Sequence, residues 1–191
     1  MRYRSKLRGL LAVTASVAGL AIVASPAAAQ TGGATPSDPS TTPAPSSTPG
    51  VATLNADGSV TPPADAPRPV RKAINAANRI RLKPYIYGGG HRRWKAKGYD
   101  CSGAVSYVLH AAGLLKKRPL ASGPLARMWG TDGIGQWITV YANKGHAYAV
   151  IAGIRWDTSG VGEPLNAGSG PRWRSTARAA TGYRAKYWPG L

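Results

Sequence analysis

The chain has 191 residues, with 25 Lys+Arg against 7 Asp+Glu, 24 Gly, 16 Pro and a single Cys. That length accommodates one ordinary domain with appendages. One cysteine excludes an internal disulfide and a Cys-rich zinc site, and a formal net charge of +18 favours polyanionic partners.

The N-terminus reads as a secretory signal peptide over residues 1–29. Arg2, Arg4, Lys6 and Arg8 precede an uncharged run from Leu10 to Ala24, and Ala27-Ala28-Ala29 precede Gln30 as a small-residue cleavage site. The uncharged run is too short and too interrupted, by Thr14, Ser16 and Gly19, for a membrane span. Without those 29 residues the chain carries 21 Lys+Arg and 7 Asp+Glu, a net +14. Secretion makes intracellular nucleic acid a poor partner, and no recognition motif for it is visible. Anionic wall polymers or anionic lipid fit the charge. No apolar tail follows the last predicted element, so no C-terminal anchor is expected.

Residues 30–66 are rich in Pro, Ser, Thr, Ala and Gly. Such a segment buries too little apolar surface to offset its ordering entropy and is expected to be a flexible linker, with Val51 to Val60 at most a loose extended piece. The folded domain is expected over residues 67–191. Asp65 is a candidate helix cap, and Pro67 lies near the first turn. Val70, Ile74, Ala77 and Ile80 then share one helical face, and the helix should end near Leu82, before Pro84. A turn-rich loop from Pro84 to Tyr99 contains Gly88-Gly89-Gly90. A second helix is expected over Cys101–Leu115, with Ala104, Val105, Val108, Leu109 and Ala112 as its stripe and Gly113 as its terminator. Lys116 to Gly135 reads as loop and short helix. Strands are expected at Trp137–Ala142, Ala147–Ala152, Ile154–Thr158 and Tyr183–Trp188, with Ala152-Gly153 as a tight hairpin turn and a loop from Gly160 through Pro171. Two helices followed by a meander argue an α+β fold, with helices on one side of an antiparallel sheet.

Cys101 is the residue on which function turns. A lone cysteine in a secreted chain is a buried apolar group, an intermolecular linker or a reactive thiol. Its predicted place at a helix start favours the thiolate. The small neighbours in Asp100-Cys101-Ser102-Gly103 leave the sulfur open, and Gly103 would let a substrate backbone approach. Asp100 is read as the cap of this helix.

A thiol nucleophile needs a base. His110, nine residues on, falls on the opposite side of the helix at about 100° per residue. His91 lies in the Gly-rich loop and could position substrate. His146 opens a strand and is the expected base. If Ala152-Gly153 is a two-residue turn, Tyr148 lies opposite Asp157, which makes His146 and Asp157 diagonal neighbours. Asp157 would then orient the imidazole. Trp94, Trp129, Trp156 and Trp173 read as core or rim, and Arg172, Arg174 and Arg178 as a solvated face.

Pro84-Tyr85-Ile86-Tyr87-Gly88-Gly89, then Asp100-Cys101-Ser102-Gly103, then Gly145-His146 before a strand resemble the NlpC-type bacterial cell-wall cysteine peptidases. The resemblance spans about Val70 to Trp188. It implies a papain-like α+β fold and hydrolysis of peptidoglycan stem peptides through a thioester, with no cofactor or metal. Cys101 matches the family nucleophile and His146 its base. Tyr85 matches a tyrosine at the oxyanion site, and Ser102 and His91 are grouped with it as oxyanion or substrate-side candidates. The family's third polar residue falls near Asp157. Alternative readings are a muramoyl amidase or another acyl hydrolase or transferase of this fold, and a non-catalytic cationic wall-binding protein.

Overall fold

The computed structural model describes residues 49–164 and 168–191. The expected signal peptide and residues 30–48 of the expected linker lie outside the described residues.

Folded structure begins earlier than composition suggested. Thr53–Leu54 (β1) pairs antiparallel with Val60–Thr61 (β2), and Ala52, Val60 and Ala66 are buried in the core. The linker expectation therefore fails for residues 52–66. Three small apolar residues suffice here because the polar edges are clipped down. Ala52 N–H donates to the Ala152 carbonyl at 2.8 Å. The Asn78 carboxamide accepts from Val60 N–H at 2.9 Å and donates to its carbonyl at 2.8 Å.

The first helix, Arg68–Ile80 (α1), buries Val70, Ala73, Ile74, Ala76, Ala77 and Ile80, the face read from the spacing. Its cap differs from expectation. Pro67 occupies the capping position with no side-chain cap, and Asp65 instead accepts from Gly50 N–H at 2.9 Å. The second helix, Cys101–Ala111 (α2), is one turn shorter than expected, because Gly113 takes a positive φ of 82° just beyond it. A short helix, Ser122–Met128 (α3), follows.

The remaining strands are Thr131–Asp132 (β3), Ile138–Ala142 (β4), Ala147–Ile151 (β5), Ile154–Asp157 (β6), Arg172–Arg174 (β7) and Arg184–Tyr187 (β8). They form a single antiparallel sheet in the order β3-β8-β4-β5-β6-β7. Two of them, β3 and β7, were not foreseen: at two and three residues they are too short for alternation to register. Ala152 (φ 47°) and Gly153 (φ 83°) both lie in the left-handed region, as the tight hairpin turn requires. The resulting β5–β6 register pairs Ala149 with Trp156 and Val150 with Arg155, which brings Tyr148 opposite Asp157 as expected.

The class is α+β, with α1 and α2 packed on each other and α2 on β5 and β6. Ala147, Ala149 and Ile151 of β5 and Trp156 of β6 are fully buried under the helices. Alanines on the sheet surface under α2 allow the close approach. The Trp156 indole N–H reaches the Ala104 carbonyl at 3.4 Å, tying the helix to the strand beneath it. Trp129, Trp156 and Trp173 are all buried, as expected for core residues, and Trp94 stacks on His110 at 3.9 Å. The arginines are not a solvated face. Arg174 is only 3 % exposed, because β7 carries it in from the sheet edge.

Candidate active site

Cys101 is the first residue of α2 and is nearly buried. The helix starts there because Asp100 caps it, accepting from Gly103 N–H at 2.7 Å. The same carboxylate accepts from Gly88 N–H at 3.1 Å, and Asp100 N–H donates to the Gly89 carbonyl at 3.2 Å. The Gly88–Gly90 loop is thereby laced to the helix start. A Cβ on Gly103 would stand 2.0 Å from the Gly89 carbonyl oxygen. Gly103 therefore serves close approach of this loop, where the sequence had suggested approach of a substrate backbone.

His91 and Ser102 both converge on Asp100. His91 Nε2 lies 2.9 Å from Asp100 Oδ1 and 3.2 Å from Ser102 Oγ, and Ser102 Oγ donates to Asp100 Oδ1 at 3.2 Å. Hydrogen bonding to Asp100 raises the His91 pKa above its ordinary value, against the opposing effect of burial. Burial pushes the Asp100 carboxyl up, but hydrogen bonds from His91 and Gly103 N–H outweigh it and hold it below the ordinary value. His91 and Ser102 thus brace the cap of the helix that presents Cys101.

His146 lies just before β5 in the four-residue turn from β4. Asn143 fixes that turn: its side-chain oxygen accepts from the N–H groups of Gly145 and His146, both at 2.9 Å. His146 Nε2 donates to Asp157 Oδ1 at 2.8 Å, which leaves Nδ1 as the nitrogen for the Cys101 sulfur. Burial pushes the Cys101 thiol up. Hydrogen bonds from His146 and from Ala147 N–H, with the charge of His146, outweigh that and hold it below its ordinary value. Burial pulls His146 down, but its hydrogen bonds to Asp157 and Cys101 raise it to about 9. The opposite shifts of the two groups favour the thiolate–imidazolium form of the pair, the reactive form of a cysteine nucleophile.

Asp157 ends β6 and is 1 % exposed. Its buried carboxylate is fully engaged. Besides His146, it accepts from Ser159 N–H at 2.9 Å and from Arg178 Nη1 at 3.1 Å. Arg178 in turn donates to Tyr183 Oη at 2.9 Å and lies 5.5 Å from the ring centres of Tyr148 and Tyr183. Cys101, His146, Asp157 and Arg178 form one continuous chain of contacts. The solvated-face reading of Arg178 fails here: it lies 21 residues beyond Asp157 in irregular chain, and no local pattern links the two.

Tyr85 is held by a parallel bridge to Tyr99, two residues before Cys101. Burial, then the negative charges of Cys101 and Asp100, raise its hydroxyl pKa, so the hydroxyl stands in the field of the thiolate. His110 is placed elsewhere, with Nδ1 at 2.9 Å from the Leu115 carbonyl at the far end of the helix. Beside the Gly88–Gly90 loop lies a groove of about 580 Å³ lined also by Lys83, Arg92, Arg93, Lys95 and Lys97.

No family model matches the chain, and no curated protein matches it in sequence. Solved structures resemble it. The peptidoglycan hydrolase RipB from Mycobacterium tuberculosis is 22% identical, over 66% of this chain and 68% of that one, with a TM-score of 0.46. The resuscitation promoting factor interacting protein RipA is 21% identical, over 64% of this chain and 66% of that one, with a TM-score of 0.43. A hypothetical invasion protein of Mycobacterium tuberculosis is 18% identical, over 72% and 73%, with a TM-score of 0.43.

Proposed function

We propose that the chain is a secreted cysteine peptidase of the NlpC type that hydrolyses peptidoglycan stem peptides through a thioester. The observation that carries the reading is the Cys101–His146–Asp157 arrangement at the start of α2. The thiolate attacks the amide carbonyl carbon, and the oxyanion forms against the Cys101 backbone N–H and the Tyr85 hydroxyl. The His146 imidazolium gives its Nδ1 proton to the leaving amine as the C–N bond breaks. Neutral His146 then takes a proton from water, which attacks the thioester and restores the thiol pair. Asp157 keeps its charge throughout and orients the imidazole.

The wall as the site of action is supported by the signal-like N-terminus and by charge. Five cations line the groove beside the nucleophile helix, a surface suited to the carboxylates and phosphates of a wall polymer.

Purified sacculi digested with the chain and with Cys101→Ser, followed by mass spectrometry of the soluble products, test the proposal. New stem-peptide termini with the wild type alone are expected. Free muramic acid ends would indicate the amidase reaction instead. Binding to sacculi without any new termini, or equal products from the variant, would refute peptidase activity.

A further inference from the structure

Residues 66–99 carry ten Lys and Arg and no Asp or Glu. Five of the ten, Lys83, Arg92, Arg93, Lys95 and Lys97, line the groove beside the Gly88–Gly90 loop, and all five are exposed. Like charges gathered on one surface repel each other until a counter-charge arrives. The chain does not supply it. Each of the six Asp and Glu side chains among the described residues is held elsewhere. The two that flank the stretch are Asp65, which accepts from Gly50 N–H, and Asp100, which accepts from Gly88 N–H and Gly103 N–H. Among the described residues, no ion pair involves any of the five groove cations.

These cations stand on a pinned loop. Trp94 stacks on His110 of α2 with ring centres 3.9 Å apart, and its carbonyl accepts from Tyr99 Oη at 2.8 Å. The same Tyr99 oxygen accepts from Ala96 N–H at 3.1 Å, and Tyr99 is 1 % exposed. Trp94 and Ala96 thus hold the loop to the body, while Arg93, Lys95 and Lys97 alternate with them and are exposed. With the backbone already fixed, a ligand that meets these side chains has little loop ordering to offset. Neither Cys101, His146, Asp157 nor Tyr85 lines the groove, so it is a surface apart from the catalytic centre.

We propose that this groove is an anchoring site for a linear phosphodiester polymer of the cell wall, whose successive phosphates pair with Lys83, Arg92, Arg93, Lys95 and Lys97. A short peptide brings one or two carboxylates. A polymer with a phosphodiester in every repeat brings a negative charge for each cation along its track. Adjacent Arg92 and Arg93 offer forked donors that match phosphate oxygens. The wall as source of the polymer rests on the function proposed above. The binding itself uses no catalytic residue.

Fluorescence anisotropy with a labelled glycerol phosphate oligomer, against poly-L-glutamate and a single-stranded oligonucleotide of the same charge, tests this. The full chain and Cys101→Ser are both titrated, so a failure to bind and a failure to cleave are separate results. Saturable binding is expected, tightest for the glycerol phosphate oligomer. With five cations neutralised, the affinity should fall about 100-fold as salt rises from about 50 to about 200 mM. Arg92→Gln/Arg93→Gln/Lys95→Gln should weaken binding roughly tenfold or more and lower the slope of log affinity against log salt by about 2. Its melting temperature without ligand should not fall, because these side chains have no protein partner to lose. Lys116→Gln/Lys117→Gln/Arg118→Gln removes the same charge from a different groove and should weaken binding much less. Equal losses in the two triple variants, unchanged affinity in the first, or absence of saturable binding would overturn the proposal. Equal or tighter binding of poly-L-glutamate or the oligonucleotide would also overturn it, in favour of a polycarboxylate or a nucleic acid.

Discussion

Replacing Asp157 by Asn removes the charge facing the His146 imidazolium while keeping the side chain's volume and one acceptor. His146 is held at about 9 against an ordinary 6.5, which corresponds to about 3 kcal/mol in favour of the charged ring. Asp157 is the leading partner that raises it and Cys101 the second, so the carboxylate accounts for roughly half or more, about 2 kcal/mol. In the wild type the reactive pair persists from the titration of the depressed thiol up to loss of the imidazolium proton near 9. Without the carboxylate the upper limit falls back towards 6.5. The lower limit rises as well, because the thiolate keeps less of its counter-ion. The window narrows from both sides, and reactivity near neutral pH should fall by roughly tenfold or more. The assay is the rate of Cys101 alkylation by iodoacetamide as a function of pH, run beside hydrolysis of a soluble muropeptide. Because Arg178 loses its buried counter-ion, the variant should also unfold about 3 kcal/mol more easily, so rates are taken where circular dichroism shows it folded. An alkaline limb that stays near 9 in Asp157→Asn would refute the assignment of Asp157 as the group that holds His146 charged.

Gly103→Ala should destabilise the domain by about 3 kcal/mol, read by urea denaturation, because the new Cβ would meet the Gly89 carbonyl; a neutral result would show that the loop yields freely. Tyr85→Phe should lower kcat about tenfold with little change in KM if the hydroxyl meets the oxyanion, as steady-state kinetics on a muropeptide will report. His91 has a raised pKa through Asp100, so it contributes stability fully present below about pH 6.5. That contribution is lost as pH rises through the raised folded value. The melting temperature of His91→Gln should accordingly lie furthest below wild type on the acid side and converge with it as pH rises.

The parts of the site legible in the sequence were those joined by short-range rules. Cys101 follows a capping residue at a helix start, and Ala152-Gly153 sets a hairpin register that places Asp157 diagonal to His146. Contacts that close only in three dimensions were not legible. Arg178 reaches Asp157 from irregular chain 21 residues away, and Arg174 enters from a three-residue strand. Residues 52–66 read as linker because composition averages over a segment. A few alanines and one valine, clipped by Asn78, were enough to fold it onto the core. His91 and Ser102 carried the right neighbourhood, but only the coordinates reveal that both turn towards the Asp100 cap.

Strand β6 joins two tasks in adjacent residues. Trp156 lies under the nucleophile helix with its indole bonded to the Ala104 carbonyl, and Asp157 grips His146. Sulfur, ring and carboxylate are thus mounted on one rigid frame, whose geometry cannot loosen unless the helix lifts from the sheet. Heat should abolish catalysis and tertiary structure in a single cooperative step, with no interval in which a folded domain carries a disassembled site. Regulation of the proposed activity would then act on access of substrate to the site, since the contacts that hold the site also hold the fold.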